Sequence, residues 1–508
     1  MQREAGTKIG SAMLVAPTGA GKTEAALLWA LANRNGFERI FYVLPYQVSI
    51  NAMASRIAEA FPDEEGHSEI SRNNNVSVLH SNMDLAYLED AQSEEVPHEQ
   101  AVATALGRSN AARKIYAPTK VTTVYQLLDI FFGRKFFEVG LLALTGSVVI
   151  FDEIHAYDGH TLGLIVVLLE YLQKLSARIF IMTATLPEPL KVLLQGAAGI
   201  TNRNEIRLDK NDPLLTEVRL NIKTDDRCIE NATENVRESV LAGRKTAVVC
   251  NTVAKAIKMF DALADLQPLL VHSRFTLGRR AEREKKEYIE QWRLVIATQV
   301  IEVSLDVSFD SMFTELAPAD SLLQRFGRVN RHARHLDLGS PGTCYIACGK
   351  DAGSERVYGA ELLSKTAAHI PNEPLDFETA CRWIEAVYPD GLTEKEAEQM
   401  KDAQQMFRGV VEQLKPMLDS TVTRSTEESL LDSVQVIPEE LEFRWRQQRQ
   451  QAAHMEAKKF IVNVSLPSWR GALHGSGVGT PRSSLGWTIA PFEYDDLKGL
   501  LLDRPLGR

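Results

Sequence analysis

Cysteine is scarce and unpatterned. The five residues Cys228, Cys250, Cys344, Cys348 and Cys381 form no CxxC pair and no metal-ligand spacing, which speaks against a disulfide scaffold or a cysteine-bound zinc and for reduced, structural thiols. No apolar run is long enough to span a bilayer and the first residues carry no signal-peptide pattern, so the expectation is a cytoplasmic protein without a membrane partner. Positive charge is in deficit as well. Lys and Arg number 57 against 67 Asp and Glu, a net charge of −10, which argues against a protein that coats nucleic acid with a broad basic surface. A motor that needs only a local groove stays open. A hydrophobic fraction of 44% and a charged fraction of 24% are those of ordinary globular domains, and 508 residues exceed what one core can organise.

Short β-branched or apolar runs alternate with amphipathic stretches through the first half, the pattern of a parallel sheet covered by helices. It predicts strands at 12–15, 40–44, 76–79, 147–151 and 178–182. A second series starts near residue 216, with strands expected at 217–222, 246–250, 294–298 and 343–347; the polar stretch 196–213 reads as the linker between the series. Residues 355–460 read as mainly helical and charged, with the Gln/Arg-rich run 444–451 as a solvated helix face. Trp469 and Trp487, in the Gly- and Pro-containing terminal stretch, are either core anchors of a small domain or a cover over a ligand path.

Ala16-Pro17-Thr18-Gly19-Ala20-Gly21-Lys22-Thr23 follows an expected strand and opens a helix, the context of a phosphate-binding Walker A loop. Small residues let backbone N–H groups turn onto phosphate oxygens, Lys22 would reach the β- and γ-phosphates of ATP, and the Thr23 hydroxyl would ligate Mg²⁺. Val148-Val-Ile-Phe151 releases Asp152 and Glu153 at a strand end, which suits Asp152 to hold Mg²⁺ through water and Glu153 to orient and deprotonate an attacking water. His155 either couples this site to its neighbours or is an ordinary hydrogen-bonded histidine; His80 and His272 read as structural. Thr183 and Thr185, two hydroxyls after another strand, could bridge the carboxylate loop to a second domain or simply form a turn before a helix.

Gln324-Arg325-Phe-Gly-Arg328-Val-Asn-Arg331 spaces three arginines to share one helix face, and Arg328 and Arg331 are expected as arginine fingers that complete the ATP site. Thr298 is placed at a strand end, where it could touch a phosphate backbone, and Asp306 where it could meet the ribose. The fold class that follows is α/β: two tandem RecA-like domains with parallel sheets, 1–205 and 206–350, then a mainly helical segment 351–459 and a small C-terminal domain 460–508.

These elements in this order resemble the superfamily 2 helicases. More narrowly the chain resembles the signature helicase of type I CRISPR interference complexes, on Asp152-Glu-Ile-His-Ala-Tyr-Asp158, Val271-His-Ser-Arg274-Phe275, Thr298-Gln-Val-Ile-Glu-Val-Ser-Leu-Asp306 and Gln324–His332. The resemblance covers residues 12–335 and is weak beyond them. It implies ATP-driven 3′ to 5′ translocation on the single-stranded DNA displaced by an RNA-guided CRISPR surveillance complex. It implies strand contacts at the Pro45-Tyr46-Gln47 loop, His80-Ser81, Thr122-Thr123 and Arg274, each of which is otherwise an ordinary turn or cap. Members of the family usually carry an HD-type nuclease domain. No His-Asp dipeptide occurs here, so the expectation is no intrinsic metal-dependent DNA cutting, with either a separate HD nuclease subunit or a truncated reading frame. Gln2 is placed for, but not required as, the adenine-reading glutamine. Two rival readings stay open at this point: an RNA or DNA-repair helicase outside CRISPR, and an ATP-gated nucleic-acid clamp without processive movement.

Overall fold

Strands too apolar to leave either face in water, each followed by a helical stretch, can be buried only as a parallel sheet with helical crossovers. The computed structural model describes residues 1–36, 38–70, 73–80, 82–92, 98–113, 117–133, 137–209, 212–216, 220–302, 307–331, 342–415, 433–450, 454–476 and 483–506. Two units emerge, 1–218 with 369–422 and 219–368 with 423–508.

In the first unit, β1 (Ala12–Val15), β2 (Ile40–Leu44), β3 (Val76–Leu79), β4 (Thr119–Thr123), β5 (Val148–Asp152), β6 (Arg178–Thr183) and β7 (Glu205–Ile206) form one sheet in the order β3-β4-β2-β5-β6-β1-β7. All its pairings are parallel. β4 escaped the apolar-run criterion because three of its residues are threonines and one is Lys120, yet all five are buried. Burial depresses the Lys120 ammonium to about 7, and its Nζ donates to the Ala112 carbonyl. The helix Gly159–Lys174 is apolar all round from Leu162 to Leu169, and a stretch of that kind must be covered on more than one side. The helix Glu394–Glu412 supplies the cover. It approaches so closely that a β-carbon on Gly159 would lie 2.5 Å from the Glu396 carbonyl oxygen. Phe407 stands edge-on to Phe131 and Tyr171 at 6.1 and 6.4 Å, and Arg408 pairs with Glu170 at 2.8 Å. A capping box between Thr393 and Glu396 starts this cover helix.

The second unit holds β8 (Leu220–Asp225), β9 (Thr246–Val249), β10 (Leu269–Val271), β11 (Leu294–Ala297), β12 (Ser311–Glu315) and β13 (Gly342–Ala347) in the order β10-β11-β9-β12-β13-β8, again parallel. Its core gathers Val236, Val248, Met259, Leu270, Ile296 and Phe313. Beside it stands a small sheet of β14 (Ser433–Pro438), β15 (Val462–Ser465), β16 (Ser483–Ser484) and β17 (Trp487–Ala490), with the hairpin β18 (Phe492–Asp495) and β19 (Gly499–Pro505). Trp469 packs edge-on to Phe492, and Trp487 to Trp445, so both indoles contribute to packing. The helical stretch expected at 351–459 is divided: Ala352–Tyr358 and Ala360–Ala368 go with the second unit, Phe377–Val387 and Glu394–Glu412 with the first. Among the described residues no helix is long and apolar enough to cross a membrane. The five cysteines form no disulfide.

Candidate functional site

β1 ends at Val15, and the chain turns through Ala16, Pro17, Thr18, Gly19, Ala20 and Gly21 into the helix Lys22–Asn33. Gly19 and Gly21 take φ of +79° and +81°, a region that penalises residues with a β-carbon. Gly21 is constrained a second time, because a β-carbon there would collide with Nε2 of Gln2. The amide of Gln2, from the helix Gln2–Ala5, therefore abuts the loop. The Ala16 N–H donates to the Thr183 carbonyl at 3.2 Å, and Lys22 Nζ donates to the Ala16 carbonyl at 3.0 Å. Lys22 is thus buried and aimed into the turn, with Thr23 next to it at the positive end of the helix.

Parallel pairing of β2 with β5 sets Tyr42 opposite Ile150, so Asp152, two residues on, shares a sheet face with Tyr42. Tyr42 Oη donates to Asp152 Oδ2 at 2.8 Å. Asp152 Oδ1 is buried and has no partner among the described residues. Burial, then the adjacent Glu153 carboxylate, push the Asp152 carboxyl up to about 7, with Lys22 opposing. The buried Asp152 oxygen and the hydroxyl expected from Thr23 are hard donors of the kind Mg²⁺ takes.

Glu153 leaves the strand with φ 51° and ψ 44°, a left-handed conformation that costs a non-glycine residue about 1–3 kcal/mol and concentrates at functional sites. Its Oε2 lies 3.5 Å from His155 Nδ1. His155 Nδ1 is 2.5 Å from Thr183 Oγ1, and that hydroxyl donates to the Thr185 carbonyl at 2.9 Å. Thr183 has then spent its proton, so the imidazole donates from Nδ1. A continuous chain of contacts runs from the Glu153 carboxylate to the backbone of Thr185.

In the second unit the arginines do not share a helix face, contrary to the spacing argument. The helix Ala319–Phe326 stops before Gly327, and Asn330 adopts φ +50°. Arg325 is wholly buried. Its Nε donates to Glu302 Oε1 at 2.8 Å, Nη1 to Thr314 Oγ1 at 2.7 Å and Nη2 to Asn251 Oδ1 at 2.9 Å. A guanidinium is tolerated at such depth only when paired and hydrogen-bonded in this way. Tyr358 Oη accepts from Arg325 Nη2 at 3.2 Å and from Gln299 Nε2 at 3.1 Å. Arg328, half-buried, donates to the carbonyls of Ile301 and Glu302 at 3.1 and 2.8 Å, and the Arg331 N–H donates to Ser308 Oγ at 3.1 Å. Gln324 is half-buried on the same helix as Arg325. Asn251, Glu302 and Tyr358 drew no attention in the sequence; only the parallel sheet brings their distant positions to one cation.

The positions expected to meet a nucleic-acid strand cluster at the C-terminal ends of strands, the edge where α/β sheets bind ligands. Pro45 and the exposed Tyr46 follow β2. His80 follows β3 but is buried, 2.8 Å from Asn51 Oδ1 through Nε2, while Nδ1 accepts from the Asn82 N–H. Thr122 donates to the Leu79 carbonyl at 3.0 Å, and Thr123 stands at the cap of the helix Val124–Phe131. In the second unit Arg274 follows β10. Its N–H donates to His272 Nδ1 at 3.2 Å and its carbonyl accepts from the Leu500 N–H at 2.9 Å. Thr298, after β11, is buried, and its N–H donates to the Val271 carbonyl at 3.2 Å. Burial and then the Arg274 cation depress the His272 imidazole to about 3. Ser81 and Asp306 lie outside the described residues.

Two family models match the sequence: DEAD/DEAH box helicase over residues 1–193 and CRISPR-associated nuclease/helicase Cas3, C-terminal, over residues 242–334. A Cas3 nuclease/helicase of Methanocaldococcus jannaschii is 31% identical over 396 residues, covering 74% of this chain and 52% of that protein. The CRISPR-associated endonuclease/helicase Cas3 of Escherichia coli is 28% identical over 437 residues, covering 75% of this chain and 48% of that one. The chain thus spans about half the length of these relatives. The crystal structure of T. fusca Cas3 with AMPPNP matches in fold with a TM-score of 0.70 at 21% identity, over 99% of this chain and 69% of that one. A CRISPR RNA-guided surveillance complex in a pre-nicking state contains a chain that matches with a TM-score of 0.63 at 19% identity, over 98% of this chain and 69% of that one.

Proposed function

We propose that this chain, which resembles Cas3 and matches the DEAD/DEAH box helicase and Cas3 C-terminal models, is a superfamily 2 helicase that hydrolyses ATP to move along single-stranded DNA during type I CRISPR interference. The observation that carries the reading is the convergence in the first unit of a glycine turn, Lys22, the Tyr42–Asp152 pair and the Glu153–His155–Thr183 chain. Lys22 and the backbone turn of residues 16–23 bind the phosphates. Thr23 and Asp152 would hold Mg²⁺, which would offset the charge of the phosphates. Glu153 orients the attacking water and takes its proton. His155 and Thr183 carry the state of that carboxylate to the loop after β6. Arg328 and Arg331, with Gln324, would serve the same ATP cycle as the arginine set of the second unit. Asp306 would meet the ribose.

The likeness to Cas3 proteins supports the finer reading: 3′ to 5′ movement, recruitment to the strand displaced by an RNA-guided surveillance complex, and strand contacts through Pro45, His80, Ser81, Thr122, Thr123, Arg274 and Thr298. Cutting of the strand is assigned to an HD-type nuclease, either a separate subunit or part of a longer reading frame, and not to the residues described here. A streptavidin-displacement assay on oligonucleotides biotinylated at one end tests the motor and its polarity together. The reading predicts ATP-dependent displacement from the 5′ end of DNA, little from the 3′ end and little from RNA. Displacement from RNA alone would move the protein outside CRISPR interference. ATP turnover without displacement from any strand would make it a clamp.

A further inference from the structure

We propose that Tyr42 is a positioning residue of the ATP site, holding Asp152 in the orientation that leaves Oδ1 for Mg²⁺; this rests on the ATP-site reading above. β2 is a wholly buried strand, Ile40-Phe-Tyr-Val-Leu44. Packing alone would be satisfied by a second phenylalanine beside Phe41. The hydroxyl instead brings a polar oxygen to a position with no exposure, which costs free energy unless that oxygen is hydrogen-bonded.

Tyr42 Oη meets this requirement by donating to Asp152 Oδ2 at 2.8 Å. A carboxylate with one oxygen anchored cannot rotate freely about its last bond. The other oxygen, Oδ1, is buried and unpartnered among the described residues. Tyr42 thereby fixes one oxygen of the carboxylate that would hold the metal and leaves the other, and it stands outside the recognisable nucleotide motifs. Tyr42 acts through Asp152, and its role is to position.

The test is Tyr42→Phe in the full chain, with the affinity of a fluorescent ADP analogue titrated against Mg²⁺ and measured again in EDTA. In EDTA the variant should match the wild type within a factor of two, whereas the Mg²⁺ concentration that half-tightens binding should rise about tenfold, the scale of one lost hydrogen bond to a charged group. An unchanged Mg²⁺ midpoint in a folded variant overturns the inference and leaves the ATP-site reading intact. A wild-type chain that binds the analogue with no dependence on Mg²⁺ overturns both. Should Tyr42→Phe not fold, 3-fluorotyrosine at position 42 keeps the hydroxyl and reports on it. Its ¹⁹F resonance should move on adding Mg²⁺ with ADP and stay fixed with ADP in EDTA; a resonance that ignores Mg²⁺ refutes the role.

Discussion

At the scale of single residues, the two neighbours Asp152 and Glu153 are given different tasks by their surroundings. Asp152 is buried and anchored, whereas Glu153 is 38% exposed in its side chain and strained in its backbone. Glu153→Gln keeps the shape and removes the base. Turnover should fall about 10²–10⁴-fold while nucleotide affinity stays within a few-fold, as read by steady-state hydrolysis beside equilibrium binding. His272 yields a stability prediction. Its folded pKa of about 3 lies below the ordinary value of about 6.5. Above that ordinary value both states are neutral. Below it the unfolded imidazole takes up a proton that the folded one refuses, so stability is lost as the pH falls. Between pH 8 and pH 5 the loss from this group is about 2 kcal/mol. Urea unfolding at the two pH values should show that much extra loss in the wild type over His272→Asn, and equal losses would contradict the burial argument.

Much of this scale was legible in the sequence, because phosphate binding restricts loop residues so tightly that Gly19, Gly21, Lys22 and the acid pair stand out. Tyr42 was not. In the sequence it is one apolar-strand residue among five, and its meaning depends on a parallel pairing with a strand more than a hundred positions away. Arg325 escaped for a related reason: three arginines at regular spacing imply one solvent-facing row, but the helix ends at Phe326 and the first arginine points into the core.

At the scale of elements, apolar runs located β1, β2 and β3 with their ends, and β5 and β6 to within a residue. β10, an apolar run of only three residues, was missed, and so were β4 and β12, for a different reason. The sequences of β4 and β12, Thr119-Lys-Val-Thr-Thr and Ser311-Met-Phe-Thr-Glu, are rich in hydroxyls and carry a charge that is satisfied inside, Lys120 by the Ala112 carbonyl and Glu315 by Lys255. The pairing of the helices Gly159–Lys174 and Glu394–Glu412 went unread as well, although Gly159 and Gly163 mark the close approach. An added methyl at Gly163 would sit 3.0 Å from Ala403 Cβ and collide with the Met400 carbonyl. Gly163→Ala should therefore destabilise the protein by about 1–3 kcal/mol. Gly196, in the helix Glu188–Ala198, has open space where a β-carbon would go, and Gly196→Ala should stabilise by about 0.5–1 kcal/mol. Thermal unfolding of the two variants should shift in opposite directions; a shared direction would show that the tight helix pairing is not what decides the outcome.

At the scale of the whole molecule, alternating strands and helices were enough to foresee two RecA-like sheets, since that pattern has few ways to be buried. The partition of the helical stretch after residue 350 was not foreseeable, because its helices are chosen by the surfaces they cover rather than by their place in the chain. The cover helix Glu394–Glu412 returns to the first unit, and the small C-terminal sheet and hairpin join the second. The hairpin joins through backbone: the Leu500 N–H on the Arg274 carbonyl and Arg283 Nη2 on the Asp496 carbonyl, both at 2.9 Å. The loop carrying Arg274 is thus held by the last residues of the chain. Arg274→Ala should weaken single-stranded DNA binding and lower its salt dependence by about one counterion, which a fluorescence-anisotropy titration at several salt concentrations measures. Unchanged affinity and slope would remove Arg274 from the strand path.

The central claim is a motor whose nucleotide cycle answers to DNA. ATP hydrolysis by the purified chain, with and without single-stranded DNA, single-stranded RNA and duplex DNA, beside Lys22→Ala, tests it most directly. The account predicts turnover stimulated by single-stranded DNA above the other two and abolished by the substitution. Turnover indifferent to every nucleic acid, or surviving the loss of Lys22, would contradict it.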